Sequence, residues 1–125
     1  MLPIRRLPAT DLAVSAFCCG AAPFGTTVTG EALDRLFGTF LDAGGNVFDT
    51  AHCYCCWLPD GAGASERALG ELVRRFGVRD RVVIATKGGH PSLRPYLERP
   101  DYYISPETIA ADLDDSLARL GLDRV

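Results

Sequence analysis

Three side chains of this sequence could act together: the carboxylate of Asp49, the phenol of Tyr54 and the amine of Lys87. Asp49 closes the apolar run Asn46-Val47-Phe48-Asp49-Thr50-Ala51, and Lys87 closes the run Val82-Val83-Ile84-Ala85-Thr86-Lys87. Neighbouring parallel strands lie about 4.8 Å apart, so a carboxylate and an ammonium at matching ends would face each other. Tyr54, in the loop past the first run, could then reach the ammonium. The trio would make a proton donor, and its chemistry suggests carbonyl reduction. By position alone, Asp49 and Lys87 also fit a plain ion pair at the rim of a sheet.

Further candidates surround the trio. Trp57, three residues past Tyr54, either walls a substrate pocket or packs its loop down. By position alone, Gly20 reads as a plain turn glycine before Pro23 and Gly25. Tyr96, Tyr102 and Tyr103, among Pro91, Pro95 and Pro100, form a lid or anchor a loop. His52-Cys53-Tyr54-Cys55-Cys56 invites a metal reading, but zinc sites want a second ligand pair, and only Cys18-Cys19 could supply it. No metal is expected. Gly88-Gly89 is not a dinucleotide fingerprint. Asp112, Asp114 and Asp115 read as the solvated face of a helix.

Apolar periodicity gives the elements that must position these residues. Ile4 to Leu7 and Leu12 to Ser15 flank the turn-rich Pro8-Ala9-Thr10-Asp11, which predicts a hairpin. A short apolar run, Ala16 to Gly20, follows. Thr29 offers an N-cap to a helix with the stripe Leu33, Leu36, Phe37, Phe40 and Leu41, stopped by Gly44-Gly45. Ser65 caps a second helix with the face Leu69, Leu72, Val73 and Phe76, ended by Gly77. Ser105-Pro106-Glu107 opens a third, with the stripe Ile109, Leu113, Leu117 and Leu120, ended by Gly121. Asp123-Arg124-Val125 reads as the start of a further strand. Strands alternating with helices predict a parallel sheet with right-handed crossovers. The long links follow the strands, the end where a β/α barrel builds its active site. In that arrangement Val47 and Asp49, and Val83, Ala85 and Lys87, point inward, while Phe48, Ile84 and Thr86 face the helices.

With 125 residues, 47% of them hydrophobic, the chain suits one core. A net charge of −3 with scattered Lys and Arg argues against nucleic acid or an anionic membrane as a partner. No apolar run approaches the roughly 18 residues of a membrane span. The five cysteines, four of them in adjacent pairs, read as free thiols, and a cytoplasmic location is expected.

Leu7 to Leu12, Asp42 to Ala51, Tyr54, Gly63-Ala64-Ser65-Glu66-Arg67-Ala68-Leu69-Gly70, Arg79 to Lys87 and Ser105 to Val125 together resemble the aldo-keto reductases. The resemblance implies an α/β fold, a partial (β/α)8 TIM barrel made of an N-terminal β-hairpin and about three βα units. Residues 1–125 would be the N-terminal portion of the barrel domain, since a whole barrel takes about 250 residues. It further implies reduction of an aldehyde or ketone, a small-molecule carbonyl substrate, by hydride transfer from NADPH (less often NADH). Tyr54 would be the general acid, Lys87 the cation beside it, Asp49 the partner that holds Lys87, and Gly20 with Asp49 the cofactor contacts. A cation should draw the phenol, which titrates near 10 when free, toward working pH. The alternative is an inactive barrel fragment that self-associates through open edges or completes another chain.

Overall fold

The computed structural model describes residues 1–90 and 104–125. Tyr96, Tyr102, Tyr103, Pro91, Pro95 and Pro100 therefore lie outside the described residues. The hairpin forms as β1 (Ile4–Arg6) against β2 (Ala13–Ser15), antiparallel, with Ile4 opposite Ser15. Three parallel strands follow in the order β3 (Cys18–Gly20), β4 (Val47–Asp49) and β5 (Val83–Ala85). The helices α1 (Gly30–Asp42), α2 (Ala64–Phe76) and α3 (Pro106–Leu120) alternate with them. This is an α/β fold, and the described strands form no closed barrel.

Pleating divides the sheet as the alternation requires. Phe48 (0% exposed) and Ile84 (3%) enter the core, whereas Val47, Asp49 and Val83 are only half-buried and Ala85 is exposed. Phe48 stacks on Phe37 of α1 at 4.8 Å between ring centroids and meets Phe40 edge-on at 5.2 Å. Leu69, Leu72 and Val73 of α2 complete that layer with Leu33 and Leu120. Asn46 ties the hairpin to the sheet. Its Oδ1 accepts from Ser15 N at 2.7 Å, and its Nδ2 donates to the Ala13 carbonyl at 2.9 Å.

Several local expectations change. Thr29 occupies the N-cap of α1, but its side chain makes no capping bond. Gly63, left-handed at φ 68°, is the N-cap of α2. Ser65 lies inside the first turn, where its hydroxyl donates to the Ala21 carbonyl at 2.6 Å and shares a bond of 2.7 Å with Thr50 Oγ1. A buried hydroxyl is better satisfied by these core acceptors than by its own helix end. Ser105 does cap α3, accepting from Thr108 N.

The face of α3 is the larger correction. Ile109 and Leu113 are each 43% exposed, while Thr108, Asp112, Ser116 and Leu120 are buried. Asp112 is thus no part of a solvated face. Asp123-Arg124-Val125 is not a strand: Arg79 Nη2 donates to Asp123 Oδ1 at 3.0 Å, and Arg124 Nη2 to Asp80 Oδ1 at 2.8 Å. Among the described residues no helix is long and apolar enough to cross a membrane.

Candidate active site

Asp49, Tyr54 and Lys87 meet beyond the carboxyl ends of β4 and β5. Lys87 Nζ donates to Asp49 Oδ1 at 2.6 Å, to Tyr54 Oη at 2.6 Å and to the Thr50 carbonyl at 3.0 Å. The Tyr54 hydroxyl donates to Asp49 Oδ2, also at 2.6 Å. The ammonium also lies 4.5 Å from the Tyr54 ring centroid, within cation–π range.

The geometry differs in one respect from two matching strand ends. Asp49 ends β4, but its partner in register is Ala85, and β5 stops there. Lys87 lies two residues further on and reaches back along its side chain. A residue in Tyr54's loop can therefore contact both charges without the strands lengthening. The loop itself, residues 50–63, is a series of turns held by bonds such as Tyr54 N to the Ala51 carbonyl and Gly63 N to the His52 carbonyl.

Electrostatics correct a second expectation. Burial raises the Tyr54 pKa above 10, and the hydrogen bond to the Asp49 carboxylate raises it further; Lys87 opposes both without overcoming them. For Asp49, burial pushes upward, but the bonds from Lys87 and Tyr54 and the Lys87 charge hold the carboxyl below its ordinary value. For Lys87, burial pushes downward and is outweighed by Asp49 and Tyr54, so the ammonium titrates above its ordinary value. The resting site is an ammonium, a carboxylate and a neutral phenol whose proton points at Asp49.

Gly20 ends β3 directly opposite Asp49 in the parallel register. A Cβ there would meet nothing within 4 Å, so the chain's own packing does not demand glycine. Trp57 is 70% exposed, so it does not pack its loop down. His90 is exposed, and His52 is buried. All five cysteines are free. Burial, and then the Asp49 charge, push the Cys18 thiol pKa up; burial, and then neighbouring Cys56, push Cys53 up. Neither is an activated thiolate of the kind a redox cysteine beside Lys87 would need. Among the described residues no cluster of three or more His, Cys, Asp or Glu side chains is arranged to hold a metal ion.

Behind the trio stands a group the sequence did not announce. Glu66 of α2 is fully buried, accepting from Thr86 Oγ1 at 2.6 Å and from Arg119 Nε at 2.5 Å. Asp112 of α3 accepts from Gly89 N at 2.7 Å and lies 3.8 Å from His52 Nδ1. The signal that could have revealed it is a polar repeat, Thr108, Asp112 and Ser116, at every fourth position of a helix.

The pattern of the whole chain has known counterparts. The model of the aldo/keto reductase family matches residues 16–125. The chain belongs to the aldo/keto reductase family. It is 37% identical over 123 residues to the 6-dehydroglucose reductase of Novosphingobium aromaticivorans, covering 95% of this chain and 38% of that protein. It is 40% identical over 87 residues to the norsolorinic acid reductase of Emericella nidulans, covering 64% of this chain and 21% of that one. A solved Pseudomonas aeruginosa structure assigned to the aldo-keto reductases superposes with a TM-score of 0.75 at 32% identity, covering 98% of this chain and 43% of the other. The chain spans less than half the length of each of these relatives. Within this oxidoreductase family, the α/β fold described above matches barrel structures.

Proposed function

We infer that residues 1–125 are the N-terminal portion of an NADPH-dependent barrel reductase, able also to use NADH, that reduces an aldehyde or ketone. The observation that carries this reading is the closed triangle of 2.6 Å contacts among Asp49, Tyr54 and Lys87. Tyr54 is the general acid, Lys87 the cation beside it, and Asp49 the carboxylate that orients both. Gly20 and Asp49 are the residues that would hold the nicotinamide end, and Trp57 stands at the substrate side of the loop. The cofactor, when bound, supplies the hydride.

The chain's own part is proton placement. At rest the Tyr54 proton is engaged by Asp49. A carbonyl oxygen that replaces Asp49 as acceptor removes one of the influences that raise the phenol pKa and leaves Lys87 in place. The phenol is then a stronger acid at the moment charge develops on the substrate oxygen. The phenolate left behind keeps its bond from Lys87 Nζ until solvent returns a proton.

Substitution tests the assignment. Tyr54→Phe should remove most carbonyl reduction, a loss of about 100-fold or more, while NADPH affinity, read by fluorescence titration, stays nearly constant. Undiminished turnover in that variant would overturn the acid role. A second reading rests on the edge of β3. An apolar groove of about 700 Å³ runs there between Phe17, Leu36 and Phe40, and it fits association with a second copy of this chain. Sedimentation that stays monomeric across a wide concentration range would refute that reading.

A further inference from the structure

Lys87 is the only lysine in the chain, and the residues on either side of it are gripped from behind. Thr86, just before it, donates its hydroxyl to Glu66 Oε1 at 2.6 Å. Gly89, two residues after it, donates its backbone N–H to Asp112 Oδ2 at 2.7 Å. Both carboxylates belong to the helix layer: Glu66 is 0% exposed on α2, and Asp112 is 3% exposed on α3. Each bond is to a buried carboxyl group, which is costly to leave half-satisfied.

The supports are themselves fixed. Arg119 of α3 neutralises Glu66 through the Nε contact, so one ion pair also joins α2 to α3. Asp112 packs against Gly88, where an added Cβ would stand 2.9 Å from the Asp112 Cβ. Its other oxygen lies 3.8 Å from Nδ1 of His52, two residues before Tyr54. One carboxylate therefore touches the loop of the amine and lies beside the loop of the phenol.

Regular structure does not do this work. The ladder of β5 ends at Ala85, so among the described residues no strand pairing fixes residues 86–89. Lysine carries a long flexible stem, and three acceptors must be met at once by one nitrogen. That demand is satisfied only if the Lys87 backbone is held in place.

We propose that Glu66 and Asp112 are positioning residues that bracket Lys87, setting the three-acceptor contact of its ammonium through Thr86 and Gly89. The proposal rests on the functional reading above, in which that contact makes Tyr54 an acid. Neither carboxylate touches the reacting groups; each acts through the backbone on which Lys87 is carried.

A single lysine makes the test direct. In a proton–nitrogen correlation spectrum tuned to lysine side chains, at mildly acid pH and low temperature, the one ammonium signal reports Lys87. In the native chain it should exchange slowly, as a group bound to Asp49, Tyr54 and Thr50 must. Thr86→Val keeps the side-chain volume and the Glu66–Arg119 pair but removes the bond to Glu66. Asp112→Ala removes the bond to Gly89. Each should speed exchange of the ammonium about fivefold or more, the factor that corresponds to one lost net hydrogen bond. Asp112→Asn, which keeps an oxygen for Gly89 N–H, should restore most of the protection.

Backbone amide spectra and melting curves of the same samples report folding separately. A lower melting temperature with the ammonium signal unchanged would mean a merely structural role and would overturn the proposal. If Asp112→Ala does not fold, Thr86→Val decides alone. The readout needs no turnover, so failure of the Tyr54 acid assignment, seen as an active Tyr54→Phe variant, is distinguishable from failure of the bracket.

Discussion

Replacing Arg119 by Met asks how much one buried charge pair contributes to this fold. Glu66 has no exposed surface, and Arg119 Nε stands 2.5 Å from its carboxylate. Met keeps the unbranched stem that packs over Gly63 and removes only the guanidinium. Glu66 is then left buried with Thr86 as its remaining partner. Removing one member of a buried pair typically costs about 3–5 kcal/mol, because the survivor is uncompensated. Arg119 retains 18% exposure, so some water can reach the vacated space. The bond from Thr86 also persists. Both facts point to the lower end, about 3 kcal/mol. With a urea m-value of roughly 1–3 kcal/mol per molar, the midpoint should fall by about 1–3 M. The assay is urea unfolding followed by circular dichroism, with Arg75→Met as control. Arg75 pairs with Asp34 on the surface, and its loss should leave the curve nearly in place. Combining Arg119→Met with Glu66→Leu should recover much of the loss, since no uncompensated Glu66 carboxylate then remains. An Arg119→Met midpoint as high as the native one would refute the reasoning, because Glu66 would then need no counter-charge.

Three further outcomes follow from the same structure. Phe48→Ala empties the site between Phe37 and Phe40 and should cost about 3–5 kcal/mol, read by thermal melting; a cost under about 1 would deny Phe48 its central place. Gly70→Ala sets two effects against each other: helix propensity favours Ala by up to about 1 kcal/mol, but the new Cβ would fall 2.0 Å from the Leu120 carbonyl oxygen. Backbone contact should win, with a net loss of about 1–3 kcal/mol, and a more stable variant would show that α2 and α3 can separate freely. Acid should weaken the native chain relative to Asp49→Asn. Asp49 is held below its ordinary value, so its contribution is complete above about pH 4 and is lost as pH falls through the lowered folded-state pKa. Lys87 is shifted the other way, so its contribution holds below its ordinary value and is lost only in strong alkali, as pH rises through the raised pKa. Parallel acid profiles for the two proteins would remove Asp49 from the account.

The sequence by itself determined the order of elements and the identity of the trio. Period-two runs and period-3.6 stripes are local, so β4, β5, α1 and α2 were legible with only their ends shifted. Asp49, Tyr54 and Lys87 were legible because each closes or follows a run that reads as a strand. The tertiary structure decided what those side chains experience. Whether Lys87 lowers the Tyr54 pKa depends on which oxygen the phenol proton meets, and the fold aims it at Asp49. It likewise turned α3 so that Asp112 and Ser116 went inward and Ile109 and Leu113 outward. Composition ranks a carboxylate below an isoleucine for burial, but Gly89 N–H was waiting for Asp112 from another element, and Arg119 of α3 found Glu66 on α2. Hydrogen bonds between residues far apart in the chain leave no mark on local periodicity, and they fixed which face became the inside.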